Sequence, residues 1–205
     1  MPAISEARVK IVRRFGTPLP GLTQKDTERR PYPPGEHGQS RRRRRKSEYR
    51  ERLEEKQKVR LNYGLKEKQL RGYFERAKES SEATGEALVA LLERRLDSVV
   101  FRFGFTRTIP AARQLVVHGH VRVDDRKQDR PGYEVSSGDE VTVAEDMRNN
   151  VHVRESVEDG PRVSLPGHLK LDPDDPFVGR VVGTPTVHDT PVLVDETAIV
   201  EFYAR

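Results

Sequence analysis

One stretch, Leu96 to Asp125 (LDSVVFRFGFTRTIPAARQLVVHGHVRVDD), constrains the fold more than any other. Leu96, Val99, Val100 and Phe103 fall at i, i+3, i+4 and i+7, one apolar face of a short helix. Gly104 suits the left-handed conformation that ends such a helix. Thr108 then reads as an N-cap, and Pro110 sits in the first turn of a second helix, where its missing N–H costs nothing. Ala112, Leu115 and Val116 form that helix's inward face, and Gly119 closes it. His120 to Val123 alternates like a strand, with Val121 and Val123 on one side and His120 and Arg122 on the other. The remaining face is polar. Gln114 and His118 stand one turn apart beside Arg113, and Arg107 guards the loop between the helices. A buried helix pair has no need of so many cationic and amide donors on one side, whereas a phosphate backbone does.

Charge is sorted along the chain. Residues 1–60 carry 18 Lys and Arg against 8 Asp and Glu, a net of +10. Residues 61–130 carry 14 against 10, a net of +4, and residues 131–205 carry 6 against 15, a net of −9. A basic amino half joined to an acidic end is expected of a nucleic-acid binder whose far side faces something else. The apolar share is about 38% once Gly is counted and Tyr is not, below the ~45–50% of typical domains. The core is therefore thin, and part of the chain is expected to order on a partner. There is no cysteine, which removes disulfides and thiolate metal sites. The amino terminus has no apolar signal core and no run approaches ~18 apolar residues, so the expectation is a cytoplasmic protein without membrane contact.

Residues 1–46 read as a poorly structured basic arm. Arg8, Lys10, Arg13 and Arg14 come first. Arg30 follows in RRPYPPGEHG, where prolines extend the backbone, Tyr32 offers a flat ring and His37 a donor. Arg41, Arg42, Arg43, Arg44, Arg45 and Lys46 then form an unbroken cationic run, which repels itself unless a polyanion neutralises it. A solvated tail or a localisation tag is the plain alternative.

From Ser47, a candidate N-cap, the pattern turns helical as far as Gly64. The apolar face of this helix is weak (Tyr49, Leu53, Leu61), and Lys56, Lys58 and Arg60 crowd its last turns. Leu65 to Lys78 predicts a second helix, and Leu88, Leu91 and Leu92 a third. Beyond the motif, short alternations predict strands. Residues 133–135 and 141–143 flank a hairpin turn at Ser136–Asp139. Val151 with Val153, Val163 with Leu165, Leu169 with Leu171, and the runs 178–182 and 192–194 continue the series. Asp195 caps a final helix with Ala198, Ile199, Phe202 and Tyr203 on one face.

ARQLVVHGHVRV resembles the S-four RNA-binding motif, a helix–loop–helix–hairpin module. RRPYPPGEHG, the basic run and SEYRERLEEKQKVRLNYG are together similar to the amino-terminal signature of the bacterial S-four family of small-subunit ribosomal proteins. LVALLERRLDSVVFRFGF, with Arg94 and Arg95 at the joint between two domains, and the closing TAIVEFYAR extend the likeness over essentially the whole chain. Two departures stand out. Many relatives bind zinc through arm cysteines that this chain lacks, and Asp124-Asp125 replaces a turn that is commonly Asn-Gly.

The resemblance implies an α+β protein with a basic extended arm (1–46), an all-helical domain (47–95 with 196–205) and an S-four domain (96–195). The last of these pairs helix–loop–helix with a small, mostly antiparallel sheet. It implies a structural component that binds the five-prime domain of small-subunit rRNA early in assembly. Such a protein lies beside the fifth protein of that subunit, borders the messenger RNA where it enters, and affects decoding accuracy. The rRNA-binding candidates are the cations, Tyr32 and His37 of the arm, with Tyr49, Lys56, Lys58, Arg60 and Arg94 from the helices. Arg107, Arg113, Gln114, His118, His120 and Arg122 complete the set. A free RNA-binding factor or translational autoregulator would use the same residues.

Other classes fit less well. No Gly-rich phosphate loop, GxSxG elbow or cysteine nucleophile is present, so no enzyme and no cofactor is expected. Asp172, Asp174 and Asp175 are interrupted by prolines and lack calcium-loop spacing, and His118 with His120 abuts the basic face, so no metal is expected. A DNA-binding helix-turn-helix is disfavoured because a hairpin follows the second helix at once.

Overall fold

The computed structural model describes residues 7–25, 27–36, 38–39 and 47–204. Its helices are α1 (Arg8–Phe15), α2 (Glu48–Asn62), α3 (Glu67–Lys78), α4 (Thr84–Glu93), α5 (Leu96–Arg102), α6 (Ile109–Val117), α7 (Glu145–Arg148), α8 (Val151–Asp159) and α9 (Glu196–Tyr203). The strands are β1 (Val121–Val123), β2 (Arg126–Lys127), β3 (Glu140–Val143), β4 (Leu169–Leu171) and β5 (Val178–Val181). They form one antiparallel sheet in the order β2-β1-β3-β5-β4. The fold is α+β, with α1 to α6 before the sheet, α7 and α8 between β3 and β4, and α9 after it.

The central stretch folds as its spacing requires. Gly104 ends α5 at φ 79°, Thr108 caps α6 by accepting the Ala111 N–H at 3.4 Å, and Gly119 turns into β1 at φ 76°. Phe101, Phe103 and Phe105 are fully buried, and the rings of the last two stack at 5.4 Å. Full burial of side chains this size stabilises by roughly 1.5–3 kcal/mol each. Phe103 reaches the sheet through Gly179 of β5, where a Cβ would collide with the ring. That close approach seats the helix pair on the sheet.

The main apolar core runs from Val59 in α2, through the helices and the inward valines of the sheet, to Ile199 in α9, and a smaller cluster forms around α1. The carboxyl end does pack back on the first helices. Tyr203 stacks on Phe74 of α3 at 4.7 Å, and Arg52 of α2 donates to Glu201 at 2.7 Å.

Four expectations need correction. Residues 8–22 are folded: α1 and the following turn bury Ile11, Val12, Leu19 and Leu22 against Val192. Apolar side chains scattered among cations suffice there because Gly21 locks the segment down. Its N–H donates to Asn62 Oδ1 at 2.9 Å, and its carbonyl accepts from Ile109 N–H at 2.8 Å. Residues 133–135 do not pair with β3. They run along the α4–α5 junction, where Val135 N–H donates to the Arg94 carbonyl and Leu96 N–H to that of Tyr133. Val151 and Val153 lie in α8, because Asn150 caps a helix whose inward positions are Val153, Ser156 and Val157, a spacing of three and four rather than two. Residues 163–165 and 192–194 form no strand.

Candidate nucleic-acid interface

The cap at Thr108 sets the direction of α6, and its last turn leaves Gln114 and His118 exposed side by side. Neither side chain has a hydrogen-bond or ion-pair partner among the described residues. Gly119 allows the chain to reverse at once, and a Cβ there would strike the side chain of Lys127, which lies across the helix–strand turn. Lys127 is the register partner of exposed Arg122. His120 is half-buried, with Nδ1 3.1 Å from the Asp146 carboxylate, and its ring stands edge-on to that of His118 at 6.2 Å. Gln114, His118, Arg122 and Lys127 thus surround one turn. Lys127 was absent from the sequence-based set. Its position two residues past the tight turn, in register with Arg122, was the signal for it.

The turn itself carries strain. Asp124 and Asp125 both adopt left-handed backbone, φ 49° and 63°, the arrangement of a two-residue hairpin that favours Asn-Gly. Asp124 recovers part of the cost, since its Oδ1 accepts the Glu140 N–H at 3.0 Å.

Arg113 points away from its neighbours on the helix. Its Nε and Nη2 donate to Asp97 at 3.0 and 2.6 Å, and its Nη1 and Nη2 to the carbonyls of Gly64 and Tyr63 at 2.6 and 3.0 Å. Arg95 donates to both oxygens of the same carboxylate, at 3.0 and 2.8 Å. Asp97 of α5 is wholly buried and held by two guanidinium forks, while Arg113 itself ties α6 both to α5 and to the end of α2. Arg102 is likewise buried, donating to Glu93 at 2.8 Å and to the Asp189 carbonyl. Burial, with Glu93 beside it, pushes the Tyr63 phenol well above its ordinary range, so it stays a proton donor to that carboxylate.

Several other candidates are also internally engaged. Lys56 is buried, 2.8 Å from Glu67 and 4.2 Å from the Phe202 ring. Burial raises the Glu67 pKa, but hydrogen bonds from Lys56 and Tyr203 outweigh it and hold the carboxyl below its ordinary value. Lys58 pairs with Glu55 at 2.6 Å, Arg60 donates to Gln57 at 2.6 Å, and Arg94 to the Val135 carbonyl at 3.1 Å. Arg107 bridges to Asp159 and Glu155 of α8 at 2.7 and 3.4 Å. Arg13 donates to the Tyr32 carbonyl at 3.0 Å and lies over that ring. Tyr49 is exposed, its ring 5.9 Å from Phe202. Arg8, Lys10, Arg14 and Arg30 are exposed. His37 and Arg41–Lys46 fall outside the described residues. No helix among the described residues is long and apolar enough to cross a membrane.

The chain matches two family models: the ribosomal protein S4/S9 N-terminal domain over residues 4–93, and the S4 domain over residues 94–141. It is 45% identical to small ribosomal subunit protein uS4B of Nitrosomonas europaea, over all of this chain and 99% of the relative. It is 46% identical to uS4 of Synechocystis and 48% to uS4 of Trichormus variabilis, each over 97% of this chain and 96% of the relative. The α6–β1 unit falls inside the S4-domain match, and identity runs the full length of both chains. The chain therefore belongs to the uS4 family of small ribosomal subunit proteins, which are structural rather than enzymatic.

Proposed function

We propose that this protein is a structural constituent of the small ribosomal subunit and a primary binder of the five-prime domain of small-subunit rRNA. The observation that carries the reading is the α6–β1 turn, where Gln114, His118, Arg122 and Lys127 are exposed together while nearby arginines are locked in ion pairs. Amide and imidazole groups set register on the RNA, and the cations displace counterions from its phosphates. In this role the protein contributes to subunit assembly in the cytoplasm, and the arm, with His37 and Arg41–Lys46, approaches messenger RNA where it enters. Decoding accuracy depends on that region. The groove between α2 and α9 is lined by Glu48, Glu51, Glu54, Asp195 and Glu201 and repels phosphate. It supports a protein neighbour there, the fifth of the subunit.

The test is binding to a five-prime-domain rRNA transcript and to an unrelated folded RNA across a salt series. Preference for the rRNA at high salt, with a slope reflecting on the order of 6–10 phosphate contacts, is expected. Gln114→Ala with His118→Ala is expected to weaken rRNA binding about tenfold without lowering the melting temperature, a loss of ~1.4 kcal/mol. Equal binding of both RNAs, lost together as salt rises, overturns the reading.

A further inference from the structure

Strand alternation gives the sheet an inner and an outer face. Val121, Val123, Val141, Val143, Leu169 and Val181 are buried inward. Arg122, Lys170 and Arg180 stand outward and exposed, and Lys127 joins them across the register. Four of the five strands therefore bring a cation to one face. Lys127 on β2 and Lys170 on β4 lie at opposite edges, about 19 Å apart at ~4.8 Å per strand.

Two of these cations come from the acidic end of the chain. Residues 131–205 hold 6 Lys and Arg against 15 Asp and Glu, yet Lys170 and Arg180 both fall on this face. They are also register partners, as are Arg122 and Lys127. Like charges directly opposite one another destabilise a sheet. Arg180 is relieved by Glu140 at 2.9 Å and Asp172 at 3.6 Å. Arg122 reaches only the Asp125 carbonyl, at 3.4 Å. Arg122, Lys127 and Lys170 have no ion-pair partner among the described residues, and three such cations on one exposed face make sense when an external polyanion lies over them. Glu140, Thr142 and Val178 complete the face, Glu140 sitting opposite Arg180, and no aromatic ring of the described strands interrupts it. A platform for stacking single-stranded bases needs such rings, while a duplex presents phosphates alone.

We propose that the outer face of the sheet is a second phosphate-binding surface, which takes the backbone of a double-stranded RNA segment. It continues through Lys127 from the α6–β1 turn. The proposal rests on the RNA-binding role above and extends it to Lys170 and Arg180, which the sequence motif does not mark.

The test uses the full chain and the five-prime-domain rRNA transcript in a salt series. Arg122→Gln, Lys127→Gln, Lys170→Gln and Arg180→Gln combined are expected to make the slope of log K against log salt shallower by about 2–3. Gln114→Ala with His118→Ala removes no Lys or Arg and is expected to weaken binding with the slope nearly unchanged. The charge-keeping set Arg122→Lys, Lys170→Arg and Arg180→Lys is expected to bind with the wild-type slope. Lys170→Gln with Arg180→Gln, the two cations outside the α6–β1 turn, is expected to reduce the slope by about 1–2 without the other two changes. A wild-type slope in these neutral variants overturns the proposal, as does loss of a protein neighbour with RNA binding intact. Failure of the unmodified chain to prefer the rRNA sinks the earlier reading instead, so the two failures are distinguishable.

Discussion

Arg95, Arg102 and Arg113 at the joint between helices and sheet differ from Arg122, Lys127 and Lys170 on the outer surface in environment, not in charge. The first three are held by Asp97 and Glu93, both of which are buried. The second three stand exposed on the sheet's outer side, with no carboxylate paired to them among the described residues. In a chain this basic, an arginine's role is decided by whether folding brings a carboxylate within its reach. The ion-paired set ties the helices of the joint to one another, and the exposed set is left for a ligand.

The sharpest way to break the comparison is to remove the shared carboxylate. Asp97→Ala leaves the buried Arg95 and the partly buried Arg113 without their carboxylate and is expected to cost ~3–5 kcal/mol, read from urea denaturation. A loss below 1 kcal/mol would mean the joint is held by packing alone. Arg113→Lys keeps the charge but cannot reproduce the fork to Asp97 and the two carbonyls. A stability loss of about 1–2 kcal/mol with an unchanged RNA salt slope is expected. A shallower slope would move Arg113 into the exposed set.

The joint also has a titrating edge. Burial lowers the His168 pKa, although Asp189 at 3.2 Å and Glu93 act to raise it. The unfolded chain then binds that proton more readily than the folded one, so stability is fully present above about pH 6.5 and falls as pH drops below it. His168→Asn is expected to flatten that part of the stability–pH curve. A curve with no decline until the carboxylate range would refute the assignment. The smallest effect lies on the exposed side. Asp125→Gly relieves a left-handed residue and is expected to stabilise by up to ~1 kcal/mol, seen as a higher melting temperature with RNA affinity unchanged.

The local architecture was legible because its determinants are local. Thr108, Gly104 and Gly119 act within a few residues of themselves, and the capping and left-handed backbone expected of them are present. Asp195 likewise caps α9, accepting the Ala198 N–H at 3.0 Å. Where periodicity was sparse, reading failed. Two valines at 151 and 153 fit a strand or a helix equally until Ser156 and Val157 show which side is buried. The α1 segment escaped notice because its few apolar residues are stabilised by a turn whose partners, Asn62 and Ile109, are distant in sequence.

The sequence by itself determined the helix–loop–helix–strand unit, the charge asymmetry and the family, since each is written in spacing and composition. Only the tertiary structure decided which cations are available. Arg113 and Gln114 are adjacent in sequence, but α6 turns about 100° per residue, which carries one side chain to Asp97 and the other to solvent. Lys170 and Arg180 look isolated in an acidic segment, and only strand pairing sets them side by side. Ion pairing and register act between residues tens of positions apart, so no local pattern records them.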